Sequence, residues 1–381
     1  MRLHPFASCA VAAAAALGAG LVTVASPAGA AGMPGTAGSG FVTPLTHNQK
    51  LASTVPANGD VNPYGVAVVP DSHGRLVAGD VLVSNFNNAP TASAHSGQQG
   101  RGTTLVQVSP DGRQTLFAHI PNGTAPGGVG LTTALVVLRS GWVVVGSLPT
   151  TDGSSATMSG GALIVLDAGG HVRETITGHG IDGPWDATAL DNGASADLFV
   201  SNVLNGITHG QPASTTKGDV VRLALDLGGG MPQVRSSTVV ADGLSVHTDP
   251  NALVVGPTGV ALTPDGTLFV ADTVNSRIAR IQDAVTRTSP VDAGAAATTV
   301  ASGSPLNGPL GLALAPNGDL LTVNGADNNL VELTPGGAHV ATRDLDPKDQ
   351  PGGALFGLAA TAHPRTVDYV NDDSNTLNIL H

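Results

Sequence analysis

A single unit recurs six times along this chain, and that recurrence limits the possible folds more than any other feature. Its clearest copy is "GPTGVALTPDGTLFVADTVNSRIARI", from Gly256 to Ile281. "GVALT" reads as a short strand, "PDG" as a tight turn, "TLFVAD" as a second strand, "TVNS" as a turn and "RIARI" as a third strand. Asp-Gly and Asn-Gly supply the positive φ angles that tight hairpins require. Five further segments align on it. These are "NPYGVAVVP" with "GDVLVSNFNN", "LTTALVVL" with "GWVVVGSLPT", "GPWDATALD" with "ADLFVSNVLN", "GPLGLALAPNG" with "DLLTVNGADN", and "ALFGLAATAHP" with "TVDYVNDDSN". They lie roughly 45 to 75 residues apart, the range of propeller blades with loop insertions.

Third and fourth strands follow within the units, as in "TTLVQVSP" then "RQTLFAHI". Six units of four antiparallel strands predict an all-β, six-bladed propeller. The last unit stops at "TLNILH" without a fourth strand, and "THNQKLAST", Thr46 to Thr54, is a spare strand near the start. Pairing the two closes the ring and removes an open edge. Composition agrees: 51 Gly and 26 Pro punctuate Val- and Thr-rich runs, and aromatics are only 3%.

The N-terminus reads as an address. Arg2 precedes the apolar run "VAAAAALGAGLVTVA" and the small residues "SPAGA", which together predict a secretory signal over 1–30. A flexible linker over 31–45 and a propeller over 46–381 follow, in a monomer exported to the cell exterior or periplasm. No other long apolar run predicts a transmembrane segment. Cys9 is the sole cysteine, so the mature chain lacks disulfides and thiolate chemistry. A formal charge of −12 with 12% charged residues argues against nucleic acid and anionic membranes as partners.

The Gly256–Ile281 copy looks like an NHL repeat. The whole mature chain resembles secreted NHL-type six-bladed propellers, in the neighbourhood of gluconolactonase-like and strictosidine-synthase-like propellers and streptogramin lyases. The resemblance to calcium-dependent lactonases implies a central metal held by side-chain oxygens. Those lactonases typically place a metal-binding Asn before Gly, whereas this chain has Thr258 in "GPTGV" and Leu310 in "GPLGL". The catalytic His and Glu pattern of the lyases is not visible.

Two sets of residues stand out. Asn85, Asn202, Asp272, Asn324 and Asn371 mark the exits of second strands, with Ser147 in the second unit. Such side chains either hold a turn by bonding nearby backbone or form an incomplete ring of oxygens for Ca2+, with Asn202, Asp272, Asn324 and Asn371 as ligands. Tyr64, Thr132, Trp185, Thr258, Leu310 and Phe356 share the position just before each first strand. Tyr64, Trp185 and Phe356 either plug the channel as core or rim its mouth to stack on a ligand. Asp186, beside Trp185, stands where other copies carry Gly.

The first-to-second and third-to-fourth turns are expected on one face and tight. The long segments "NFNNAPTASAHSGQQGRG", "LPTTDGSSATMSGG", "NVLNGITHGQPASTTKG" and "GLSVHTDPNALVVGP" are expected as loops on the other, where binding usually sits. His95, His209 and His247 lie in those loops, with Asp249 near the last. His247 joins Tyr64, Trp185, Asp186 and Phe356 as a ligand-binding candidate. No nucleophile elbow, His-Glu-x-x-His, P-loop or dinucleotide fingerprint is present. Two functions are expected: a binding scaffold for an extracellular protein, a glycan or a small polar molecule, or a metal-dependent hydrolase or lactonase.

Overall fold

A computed structural model describes residues 40–92, 97–250, 252–348 and 352–381. The segment expected as a secretory signal and His95 lie outside them. Six antiparallel sheets follow one another around a central channel. Their innermost strands are Val61–Val68, Leu135–Val137, Pro184–Asp191, Pro257–Leu262, Pro309–Leu314 and Leu355–Ala362, one for each of blades 1 to 6. The spare strand is Asn48–Ser53. It pairs antiparallel with Thr376–Leu380 from Asn48↔Leu380 to Ser53↔Thr376, completing blade 6 as its outermost strand.

Side chains alternate across each strand, and both faces of a blade are buried by its neighbours. Leu82 therefore packs into the core between blades 1 and 2, while adjacent Val83 packs between blades 6 and 1. Phe199 and Val200 divide in the same way between blades 3/4 and 2/3. Six interblade cores result.

Three expectations need correction. Of the segment expected as a linker over 31–45, the described part is packed: Phe41, Val42 and Leu45 are buried in the core of blades 5 and 6. The backbone N–H groups of Phe41 and Val42 donate to the buried Glu332 carboxylate. The segment "GLSVHTDPNALVVGP" is mostly a β-hairpin. The fourth strand of blade 3 runs Gln233–Asp249 and turns back through Leu253–Val255, with His247↔Val255 and Asp249↔Leu253 paired. Third, the third-to-fourth connection of blade 4 is long. It carries the short strand Val291–Asp292, which pairs in parallel with Ala241–Asp242 of blade 3.

Candidate functional site

The shared aromatic position lies within the first strands of five blades, at a bulge. Pairing with the second strand slips between Pro63 and Val66, Pro184 and Asp186, Pro257 and Val260, Pro309 and Leu312, and Leu355 and Leu358. A bulge kinks the strand and re-aims a side chain. The residue after it must accept a neighbouring blade at very short range. A Cβ on Gly357 would sit 1.9 Å from the Tyr64 carbonyl oxygen, and one on Gly311 would sit 2.2 Å from that of Phe356. Glycine at this position is thus what lets adjacent bulges nest into a ring.

The re-aimed side chains meet across the channel. Tyr64 and Phe356 lie 5.3 Å apart between ring centroids, and Tyr64 and Trp185 5.8 Å apart edge-on. Phe86 packs edge-on against Phe356. Trp185 Nε1 donates to the Tyr64 hydroxyl at 2.8 Å, so both polar tips are satisfied inside the apolar cluster. Tyr64 is 1% exposed and Trp185 4%, which makes this group a seventh core that plugs the channel. Leu253, Val254 and Val246 of the blade 3 hairpin belong to it, so the hairpin caps the plug from the long-loop side.

Beside the plug, a polar seam joins blades 1 and 6. Asn62 holds a left-handed φ of 62°, and its Nδ2 donates to Asp372. Its Oδ1 accepts from Asn87 Nδ2 at 2.9 Å, and its backbone N–H donates to Asn375 Oδ1 at 2.6 Å. Burial pushes the Asp372 carboxyl up to about 8, against the lowering effect of the Asn62 bond. A cavity of about 50 Å³ lies between this seam and the aromatics, lined also by Gln99, Thr133 and Ala252. It is too small for anything larger than a solvent molecule or two.

On the far side of the plug the channel is open space of about 290 Å³. Asp186 lines it. Its Oδ1 accepts from the Ala187 N–H at 2.8 Å and its Oδ2 from the Val260 N–H at 3.3 Å. Burial raises its carboxyl to about 7, outweighing those two bonds. Burial and then the Asp186 charge push the Tyr64 phenol well up. Sequence neighbours Trp185 and Asp186 thus serve opposite sides of one barrier. His247 lines neither cavity. It sits in the capping hairpin with Nε2 3.9 Å from an Asp249 carboxylate oxygen.

The four residues expected as calcium ligands are not brought together; each is engaged within its own blade or by the segment leading into that blade. Asn202 accepts from the backbone N–H groups of Asp182 and Gly183 and donates to Gly180 O and Asp219. Asp272 is ion-paired with Arg277 at 2.7 Å. Asn324 accepts from Asn307 N–H at 3.1 Å and donates to Pro305 O at 2.8 Å. Asn371 accepts from Ser374 and donates to Asp346. A hard cation needs several convergent oxygens, and here the amide and carboxylate groups are spent holding strand exits. At the ring position itself, Tyr64, Trp185, Leu310 and Phe356 offer no oxygen ligand set, and Thr258 Oγ1 is bonded to Thr273 and the Leu310 carbonyl. Among the described residues no group of three or more His, Cys, Asp or Glu is placed to hold a metal. Asn202, Asp272, Asn324 and Asn371 therefore do not assemble a Ca2+ site.

On the long-loop side, a groove of about 1110 Å³ lies between blades 3 and 4, with Lys217, Asp219, Asp242, Arg277 and Asp292 among its lining. Burial, offset in part by the bonds from Asn202 and Asn205, raises Asp219 to about 6.

These features define a six-bladed β-propeller with a sealed channel. Residues 255–281, in blade 4, match the family model of the NHL repeat. No curated protein matches the sequence. Solved structures with the same fold include a protein provisionally described as a gluconolactonase, at 17% identity and a TM-score of 0.55, covering 91% of this chain and 93% of that one. A gluconolactonase from Xanthomonas campestris gives 16% and 0.53 over 87% and 88%. The PQQ-bound aldose sugar dehydrogenase of Streptomyces coelicolor gives 16% and 0.51 over 88% and 98%. At such identities the likeness is one of fold, and fold does not carry activity.

Proposed function

We propose that this propeller is an exported binding scaffold that engages an extracellular glycan or protein through its long-loop face. The observation that supports this reading is the seal. The channel mouth, the usual small-molecule site of such a ring, is filled on this face by Tyr64, Trp185 and Phe356 and capped by the blade 3 hairpin. What that face offers instead is the mixed-charge groove between blades 3 and 4. Acidic and basic side chains interspersed over a polar groove suit a hydroxyl-rich or polar partner. The apolar N-terminal run, read as a secretory signal, is consistent with a partner outside the cell.

Calcium-dependent lactone hydrolysis is the competing activity for this fold, and one experiment separates the two. The mature protein is screened for saturable binding to a panel of polysaccharides and exterior proteins, alongside a variant with the loop residues 208–212 replaced by a Gly/Ser linker, leaving the plug residues Val203, Leu204 and Ile207 in place. Saturable binding that the variant loses supports the scaffold. Calcium-dependent turnover of an aldonolactone, with no saturable binding, overturns it.

A further inference from the structure

The two halves of the channel differ in access. Burial relaxes along the first strands toward the short-turn face. In Val61–Val68 the first five residues are buried and the last three are partly exposed; in Pro184–Asp191 only the first two are buried. Pro309–Leu314 follows the same course. The cavity of about 290 Å³ is therefore a blind shaft, closed at the plug and reached from the face opposite the long loops.

Its walls have two chemistries. Each first strand is the inner edge of its sheet, so its outward N–H and C=O groups face the shaft unpaired by any neighbouring strand. Between them stand apolar side chains such as Val66, Leu262, Leu314 and Leu358. At the blind end is a carboxylate, Asp186, which takes the place of the glycine found at Gly65, Gly259, Gly311 and Gly357. It accepts from two backbone N–H groups, and a carboxylate has room for about four donors. Among the described residues no Lys, Arg or His lines the shaft, and Tyr64 is the other titratable group there. A carboxylate drawn largely out of bulk water, as Asp186 is at the partly exposed third position of its strand, is stabilised in its ionised form chiefly by a cation. A primary ammonium has three donors and no acceptor. It matches a carboxylate with capacity for further donors in a shaft walled by strand edges, and its alkyl part matches the apolar side chains among the lining.

We propose that the shaft below the plug is a binding site for a small primary alkylammonium ion, entering from the short-turn face with Asp186 as its counter-ion. This site is separate from the long-loop face and does not depend on what that face binds.

The test uses butylammonium chloride as probe, against sodium and calcium chloride at matched ionic strength, read by thermal shift and calorimetry. Saturable stabilisation is expected above the value of about 7 to which Asp186 is raised, fading below it as the carboxyl takes up its proton. Asp186→Asn should weaken the affinity at least about tenfold, the loss typical of a hydrogen bond to a charged group. Thr188→Trp, at the partly exposed part of the shaft, should block entry with Asp186 intact, which keeps the test decisive if the first variant folds poorly. The Gly/Ser replacement of residues 208–212, which spares the plug residues Val203, Leu204 and Ile207, should leave butylammonium binding unchanged. The proposal is overturned by no saturable response to butylammonium, by an undiminished response in both Asp186→Asn and Thr188→Trp, or by stabilisation from the inorganic cations alone.

Discussion

The two ends of the channel are built from the same six strands and behave oppositely. At the long-loop end the bulges throw Tyr64, Trp185 and Phe356 inward, and their polar atoms bond to one another or vanish into apolar contacts. At the other end the same strands present bare edges and a carboxylate with capacity to spare. A repeat fixes where a side chain is aimed, and the residue at that position decides whether the aim closes the channel or furnishes it. Where the repeat places an aromatic, the channel is stopped. Where blade 3 exchanges glycine for Asp186, it acquires a charge.

The largest effect should come from removing the frame common to both ends. Deleting Thr46 to Thr54 leaves blade 6 with three strands and removes the Thr54 carbonyl that accepts from Asn85. Loss of cooperative melting, or aggregation through the exposed edge, is expected. An unchanged melting temperature would refute closure by this strand.

Next is the contrast between the ends. Trp185→Ala should cost about 3–5 kcal/mol, as large aromatic truncations in packed interiors do. Thr188→Ala, three residues further down the same strand, should stay within about 0.5 kcal/mol, like most substitutions away from a packed core. Chemical denaturation of both variants measures the difference; equal costs would mean that the plug is not a core.

Acidity separates the ends more finely. Asp372 at the seam and Asp186 in the shaft are raised to about 8 and about 7 from an ordinary value of 3.8. Between the ordinary and raised values each is protonated when folded and ionised when unfolded, so folding takes up protons there. Stability is unpenalised below the ordinary value, declines as pH rises through the window, and is lowest above the raised value. Across that window the decline is on the order of 1.4 kcal/mol for each pH unit. Asp372→Asn should flatten the decline over the wider window and Asp186→Asn over the narrower one, as read from melting temperature against pH. A decline that neither variant alters would place its cause elsewhere.

The smallest expected effect is that of calcium. Asn202, Asp272, Asn324 and Asn371 are engaged within their own surroundings, so millimolar calcium should leave the melting temperature unmoved. A saturable rise that chelator reverses would show an oxygen site assembled from other groups.

Much of this architecture is legible in the sequence because its signals are local. Asp-Gly and Asn-Gly turns, alternation around Val83, Val200 and Val270, and the missing last strand specify the blades and their closure. The shared position of Tyr64, Trp185 and Phe356 is legible too. Whether they form a plug or a platform depends on packing across the ring, which spacing does not encode. The pairing of Asn62 with Asp372 spans 310 residues and escapes any local pattern. Its one sequence trace is the Asn before Pro in "NPYG", a residue tolerant of the left-handed φ it adopts. The capping hairpin reads as a loop from its Ser, Thr and Pro content, although Asp249-Pro250-Asn251 between apolar stretches is a turn signal. Asp186 stands out in the sequence as a departure from glycine. Which side of the plug it serves is not legible there, because adjacent residues at a bulge need not share a cavity.

Thiol accessibility shows whether the plug divides the channel into a closed and an open half. With Cys9→Ser removing the natural thiol, Thr133→Cys places a sulfur beside the small cavity at the plug, where the native residue is 1% exposed. Thr188→Cys places one in the shaft, at a partly exposed position. Rates of labelling by a small maleimide are compared in the folded protein. A divided channel predicts prompt labelling at residue 188 and labelling at residue 133 only as fast as the protein opens. Equal rates, or faster labelling at residue 133, would contradict it.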